Sequence, residues 1–438
     1  MKIAVVSDDL TGASECGGQL IQYGLKASVI LRGGIINDEE KEAVIFNTDS
    51  RSLPEKEAYR RVKSVCEWIK SKKFDFVYKK IDSTMRGNIG QEINAVYDVF
   101  RPDFVFIAPA NPENGRIVVD GIHYLNGKKL QETEVANDPK TPVRDSLISL
   151  LIQKQSKRKV SHLSYKDLEQ GYQYVFKKLL FLKKENIPYV TVDTIHESDF
   201  EYLVDMIGKT GFRVIWCGSS GLVKYLPKAC GLEPMNKRIH LSQREGPVLL
   251  VIGSVSGRGR EQLNQLLLKS NVIGLEMQST QVIKDHISKE NELNSLISKA
   301  IAAFQSGKNV ALFSSKTVKE TQEIGKSKGF NAVEVSNMIS KTLGELAVHL
   351  IHHCNIQHLF LTGGDTAQQV FEQLKVNEFH IIDEIEPGIP VGYLGDDRGI
   401  LVATKAGNFG SKFAMIKAVL KLQGETCNEE VCFHNSVS

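Results

Sequence analysis

Short, continuously apolar runs recur along the chain, and longer stretches with a helical spacing of apolar positions lie between them. In the first half the runs are Ile3–Ser7, Ala27–Leu31, Ala43–Thr48, Phe74–Lys79, Phe104–Ala108, Tyr189–Val192 and Val214–Cys217. Amphipathic stretches at 56–70, 166–185 and 198–210 separate them. A run that is apolar at every position suits a strand buried on both faces. The alternation therefore predicts α/β layers around a mostly parallel sheet. Residues 109–145 break this rhythm. They are rich in Pro, Asn, Gly and Asp and hold short β-like pieces such as Ile117–Val119, which reads as a functional excursion or a packing insertion. Prolines and charges at 233–247 interrupt the pattern again, and a linker is expected there. The pattern then restarts, with strands Val248–Ile252, Val272–Leu275, Val310–Phe313 and His358–Thr362 and helices at 258–268, 288–305 and 338–353. The expected fold class is α/β: two α/β domains, residues 1–240 and 246–424, with mostly parallel sheets and an active-site cleft between them. No internal repeat or low-complexity segment is visible.

The length of 438 residues agrees with two domains, each large enough to bury a core. A net charge of only +3 gives no global reason to expect nucleic acid or membrane as a partner. The chain starts directly with a strand pattern, and no apolar run is long enough to span a bilayer. Seven scattered cysteines suit reduced thiols in the cytoplasm better than a disulfide framework. Cys427, Cys432 and His434 stand close together near the C-terminus, as a metal clip or as part of a frayed tail.

The richest chemistry lies at strand ends. Residues 78–90, Tyr-Lys-Lys-Ile-Asp-Ser-Thr-Met-Arg-Gly-Asn-Ile-Gly, close an apolar strand with two lysines, a carboxylate, two hydroxyls and an arginine, and a helix pattern follows. Cations beside free hydroxyls suit a small anion that carries several hydroxyl groups. The first strand ends Ser7-Asp8-Asp9-Leu10-Thr11-Gly12-Ala13. If the strand persists, Asp8 and Asp9 point in opposite directions, so one faces the crevice at the sheet edge while the other caps the helix; both as caps is the plainer alternative. The third strand ends Asn47-Thr48-Asp49-Ser50-Arg51-Ser52, where Arg51 is a candidate clamp for a substrate carboxylate. In a parallel sheet all three ends lie along one edge, which favours a polyhydroxy-acid site over three separate polar turns. His123, in Asp120-Gly121-Ile122-His123-Tyr124, is an acid–base candidate or a structural hairpin histidine, the second being the more common case.

In the second half, glycine-rich turns take over. Gly253-Ser254-Val255-Ser256-Gly257-Arg258-Gly259 follows one strand, Gly363-Gly364-Asp365-Thr366 follows another, and Thr404-Lys405-Ala406-Gly407-Asn408-Phe409-Gly410 forms a third piece. Small residues let backbone N–H groups approach phosphate, and a helix N-terminus favours negative charge. Asp365 adds a carboxylate for Mg2+ or for a hydroxyl. One such turn is usually just a turn, but three in one domain favour nucleotide binding. Side chains at Gly364 or Gly407 are expected to block that approach. A nicotinamide-dependent oxidoreductase lacks its fingerprint here, since Gln262 stands where a third glycine is needed. A sugar-acid sensor is the nonenzymatic alternative, and it would need no second set of glycine-rich turns.

Taken together, these residues resemble the four-carbon acid sugar kinase family. The matching pieces are residues 7–13, 79–88, 108–112 (Ala-Pro-Ala-Asn-Pro) and 115–121 in the first half, and 253–254, 362–366, 386–390 (Glu-Pro-Gly-Ile-Pro) and 404–410 in the second. They span nearly the whole chain in family order. The resemblance implies ATP- and Mg2+-dependent phosphorylation of a four-carbon sugar acid at its terminal hydroxyl. The Asp-Ser-Thr-x-Arg-Gly-Asn form looks like the D-threonate and D-erythronate branch. It implies that Asp9, Arg51, Asp82, Ser83, Thr84, Met85 and Arg86 bind substrate, with Arg51 and Arg86 on its carboxylate. It further implies that Ser254, Gly363, Gly364, Asp365, Thr366 and Gly407 bind ATP. The catalytic carboxylate is then one of Asp9, Asp82 and Asp365. Ser7, where alanine is more usual, and Asn111, in place of an aromatic residue, depart from the family pattern. The partners so implied are a small sugar acid and ATP, without nucleic acid or membrane; a homo-oligomer is compatible with the sequence.

Overall fold

A computed structural model describes residues 1–31, 41–138, 140–235, 246–254, 256–395 and 399–425. The chain divides into two compact units: the first takes residues up to Asn236 except 31–34, which group with the second, and the second takes the rest. Most of the expected linker and the Cys427–Cys432–His434 group lie outside the described residues.

The first unit is built on eight parallel strands. In chain order they are β1 (Ile3–Ser7), β2 (Ala27–Ile30), β3 (Ala43–Asn47), β4 (Phe76–Lys80), β5 (Phe104–Ala108), β9 (Val160–Leu163), β10 (Tyr189–Val192) and β11 (Val214–Gly218). Their order across the sheet is β2-β3-β1-β4-β11-β5-β10-β9, with every neighbouring pair parallel. β1 and β5 are buried at every position, as expected of strands covered on both faces by crossover helices. β9 has no counterpart in the sequence reading. It is a half-buried edge strand whose Val-Ser-His-Leu pattern carries little apolar signal. The expected helix over 166–185 is broken at Gly171, whose φ of 78° ends one piece at Glu169 and starts the next at Tyr172. The excursion at 109–145 folds into a small antiparallel sheet of β6 (Arg116–Val119), β7 (Ile122–Leu125) and β8 (Lys128–Lys129), flanked by single helical turns.

Among the described residues the second unit has seven strands, β12 (Val248–Ile252), β13 (Val272–Met277), β14 (Asn309–Ser314), β15 (His358–Thr362), β16 (Glu378–Glu384), β17 (Pro390–Leu394) and β18 (Ile400–Lys405), in the order β13-β14-β12-β15-β18-β17-β16. The first five in that order are parallel, whereas β17 pairs antiparallel with both its neighbours. Periodicity did not foresee the β16–β18 meander, whose first strand is only partly buried and mixes charged with apolar residues. No helix among the described residues is long and apolar enough to cross a membrane.

A buried ion pair ties the first sheet to its helices. Lys79 Nζ lies 2.8 Å from Glu92 Oε2, and both side chains are almost without exposure. Glu92 also accepts from Ser50 Oγ at 2.7 Å, and Lys79 donates to the carbonyls of Val6 (3.2 Å) and Lys80 (2.6 Å). The contact joins β4, β1, the loop after β3 and the helix Ile89–Phe100. Burial works against the Lys79 charge, but Glu92 and Asp8 outweigh it and hold the amine above the usual lysine range. Lys79→Met, which leaves Glu92 buried without its cation, is expected to cost about 3–5 kcal/mol in urea unfolding. Lys79→Met/Glu92→Leu should recover much of that loss; losses in the two single variants that simply add in the double variant would show that the pair is not coupled.

His123, in β7, is fully buried. Burial, and then the Arg116 guanidinium, push its imidazole down to about 4. A value below the unfolded 6.5 means that the unfolded chain binds the proton more readily. The stability contributed by neutral His123 is therefore complete above about 6.5 and is lost as the pH falls toward about 4. Chemical unfolding at a series of pH values should show a shallower acid loss in His123→Gln than in the natural protein across that window.

Candidate functional site

Five neighbouring strands of the first unit end in step. Asn47 pairs with Ser7, Ser7 with Lys80, Lys80 with Gly218 and Gly218 with Ala108. The loops that follow β3, β1, β4, β11 and β5 therefore open along one edge. From β1 the chain turns toward β2, and from β4 it turns the other way toward β5. The crevice between β1 and β4 is thus the topological switch point, where open α/β sheets bind ligands. All three strand ends singled out in the sequence meet here.

Asp8 and Asp9 do not separate as the alternation of side chains predicted. Asp9 caps the helix Leu10–Ile21, accepting from the Gly12 N–H at 2.9 Å, and yet also faces Arg51. Arg51 donates from Nε and Nη2 to Asp8 (2.7 and 3.0 Å) and from Nη1 to Asp9 (2.8 Å), with Asp82 3.7 Å away. Its fork is therefore occupied by the chain's own carboxylates. A substrate carboxylate would reach it only by displacing one of them, which corrects the picture of a waiting clamp. Asp82 organises its own loop. It accepts from the Thr84 N–H (3.2 Å), the Thr84 hydroxyl, the Arg86 N–H (3.3 Å) and, in bidentate fashion, from Arg86 Nε (2.9 Å) and Nη2 (3.0 Å). Arg86 Nη1 reaches Asp138 at 3.2 Å, and a third of the side chain stays exposed. Met85 is buried with φ at 61°, a strained position for a side chain of its size. Ser83 is half-exposed, and its hydroxyl makes no hydrogen bond among the described residues.

Charge separates the carboxylates. Burial pushes Asp9 up, with Asp8 adding to the rise and Arg51 opposing it. Burial acts on Asp8 too, but there Arg51, Lys79 and Lys80 win and the group is lowered. Asp82 is held well below the usual range, since Arg86 and Arg51 overcome its burial. A saturated, strongly acidic carboxylate is a poor proton acceptor, so Asp9 suits that task better than Asp82.

Three polar groups at this edge escaped the sequence reading as site residues. Lys80 is buried, and its amine donates to the Ile81 carbonyl at 3.0 Å. It lies over the first turn of the helix Leu10–Ile21, 2.5 Å from where a Cβ on Gly12 would stand, so Gly12 makes room for it. Glu15 accepts from Ser220 Oγ at 3.0 Å, and burial pushes its carboxyl up. Glu15 could have been noticed as the only charge in an otherwise small and apolar helix; Ser220 carries no such signal.

In the second unit, β12, β15 and β18 are neighbours, and Ile252, Thr362 and Lys405 end them in step. Their three glycine-rich turns touch one another. A Cβ on Gly253 would fall on the Thr366 hydroxyl, one on Gly407 would fall on the Ser254 hydroxyl, and one on Gly363 would stand 3.1 Å from the Ser254 N–H. The demanding glycine of the 363–364 pair is Gly363, with φ at 98°; Gly364 has no positive φ and simply opens the helix Gly364–Gln373. Ser256 caps the helix Gly257–Leu267 through the Gly259 N–H (3.1 Å) and donates to the Gly407 carbonyl (2.9 Å). This is a cradle of backbone and hydroxyls beside two helix N-termini, suited to phosphate. Asp365 is exposed in the first turn of its helix. A single exposed carboxylate fits Mg2+, which is usually held by one or two carboxylates together with substrate phosphates and water.

Residues 3–226 match a sugar-binding N-terminal domain, and residues 249–415 match a nucleotide-binding C-terminal domain. A D-threonate kinase from Salmonella typhimurium is 29% identical over 98% of this chain and 100% of its own length. A 3-oxo-tetronate kinase from Actinobacillus succinogenes is 28% identical over 94% of this chain and 97% of its own. The crystal structure of a Haemophilus influenzae protein superposes with a TM-score of 0.69 at 27% identity, covering 95% of this chain and 98% of that one. The two domain matches, in this order and over nearly the full length, place the chain in the four-carbon acid sugar kinase family.

Proposed function

We propose that the protein transfers the γ-phosphoryl group of ATP to the terminal hydroxyl of a four-carbon sugar acid, D-threonate or D-erythronate, giving the 4-phosphate. The observation that carries this reading is the pairing of two different strand-end sites, a charged, hydroxyl-rich edge in residues 1–240 and a glycine cradle in residues 246–424. In the first, Asp9 accepts the proton of the attacking hydroxyl. Burial has raised its affinity for that proton, and Arg51 fixes its position. Arg86, with exposed donors left over, and Lys80 meet the acid's carboxylate. Ser83 faces the sugar hydroxyls, while Asp82, Thr84 and Met85 set the loop that carries it. In the second, Ser254, Gly363, Gly364, Thr366 and Gly407 surround the nucleotide phosphates. Mg2+, with Asp365 beside it, would neutralise phosphate charge during transfer. A 3-oxo-tetronate is the competing substrate, since the relative of that name is nearly as similar; the Asp82–Asn88 segment is what favours the aldonates.

Release of ADP from ATP–Mg2+ with a panel of C4 acids, and phosphorus NMR of the product, test the reading. D-threonate or D-erythronate is expected to be the best substrate and the 4-phosphate the product. A folded, ATP-binding protein that releases no ADP with any C4 acid would sink the proposal.

Asp9→Asn is expected to lower kcat by about 100- to 10,000-fold while ATP binding is kept. Unchanged turnover would move the base elsewhere. Gly253→Ala, whose methyl falls on the Thr366 hydroxyl, should weaken ATP binding by about 5- to 150-fold and leave acid binding measurable by calorimetry.

A further inference from the structure

The loop after β18 is held from three sides. Lys405, the last residue of that strand, is 1% exposed, and its amine donates to the carbonyls of Ala406 (2.8 Å), Gly407 (2.9 Å) and Phe409 (3.3 Å). Gln262, fully buried in the helix Gly257–Leu267, donates to the carbonyls of Phe409 (2.9 Å), Gly410 (3.2 Å) and Ser411 (2.8 Å). Glu386 accepts from the Ser411 N–H and hydroxyl, both at 2.6 Å. Between these anchors, Gly407 packs against Ser254 and forms one wall of the cradle.

Only one of the three anchors can change its number of donors near neutrality. An ammonium has three N–H groups and no lone pair. A neutral amine keeps two N–H groups and turns a lone pair toward a carbonyl, so it cannot serve three of them. We propose that Lys405 is a positioning residue of the nucleotide site, holding the 406–410 loop in its binding shape only while its amine is protonated, so that nucleotide binding is coupled to proton uptake by a buried lysine.

The surroundings allow this titration. Burial, and then Arg258 in the first turn of the helix Gly257–Leu267, push the Lys405 amine down to about 7. Glu386 favours the charged form, but it is shared with Lys417 of the helix Ala414–Leu422, which lies 2.6 Å from it. A polyphosphate arriving at the loop adds negative charge and draws the proton on. The inference rests on the reading above, that this cradle takes ATP.

Calorimetric titration of the full chain with ATP in excess Mg2+, in buffers of different ionisation enthalpy from about pH 6 to about pH 9, counts the protons taken up on binding. The natural protein is expected to take up part of a proton above about pH 7 and to bind on the order of tenfold more weakly at the alkaline end. Lys405→Met should bind weakly throughout without proton uptake. Lys405→Arg, charged at every pH, should bind tightly without uptake. Gln262→Met should weaken binding yet keep the uptake, because the lysine is still present. Binding by the natural protein without proton uptake overturns the inference alone, and so does undiminished uptake in Lys405→Met. Absence of ATP binding by the natural protein at every pH overturns the nucleotide reading as well.

Discussion

Arg51 stands between Asp8 and Asp9 with little water to screen it, and the sheet edge of the first unit is arranged around that contact. Two adjacent buried carboxylates repel each other, and an unpaired one would cost several kcal/mol. A planar guanidinium can serve both at once, which a lysine amine cannot do with the same geometry. The neighbouring loop makes this possible. A Cβ on Gly87 would come within 2.8 Å of the Arg51 side chain, so the glycine leaves room for it. The Asn88 amide then donates to the carbonyls of Ser50, Arg51 and Leu53 and fixes the backbone that presents the arginine. The Arg-Gly-Asn segment thus supports Arg51 as much as it supplies Arg86.

The two units present different materials at their strand ends. At the first edge, long charged side chains are locked to one another, and Ser83 and part of Arg86 stay open. Such a surface discriminates by placing a few donors and acceptors against hydroxyls and a carboxylate. At the second, the walls are backbone and small hydroxyls, because phosphate oxygens need many N–H groups at short range and no bulk in the way. The longer polar side chains that anchor it stand one layer back. Lys405, Gln262 and Glu386 bond to the loop rather than face its open side, so the cradle's shape depends on residues away from its surface.

How much of this was legible in the sequence depends on how local the signal is. Apolar runs that are buried on both faces, such as Val248–Ile252 and Phe104–Ala108, matched their strands end to end, since burial demands an apolar residue at each position. Strand ends carrying Asp, Arg and Thr, and the three glycine-rich turns, were visible as departures from apolar patterning. Partly buried strands were not. β9 and β16 mix polar with apolar residues, so neither period rises above its surroundings.

The sequence by itself determined the two α/β units, the order of most of their strands along the chain and the loops where chemistry gathers, because hydrophobic periodicity and turn composition act over a few residues. Only the tertiary structure decided which charges meet. Arg51 is more than forty positions from the carboxylates that occupy its fork, and Gln262 lies 147 to 149 positions from the carbonyls it holds. Partners so distant are chosen by strand register and helix packing. That is why an arginine that read as free for a ligand proved to be paired, and why a glutamine that merely failed to be a glycine proved to be an anchor of the loop after β18.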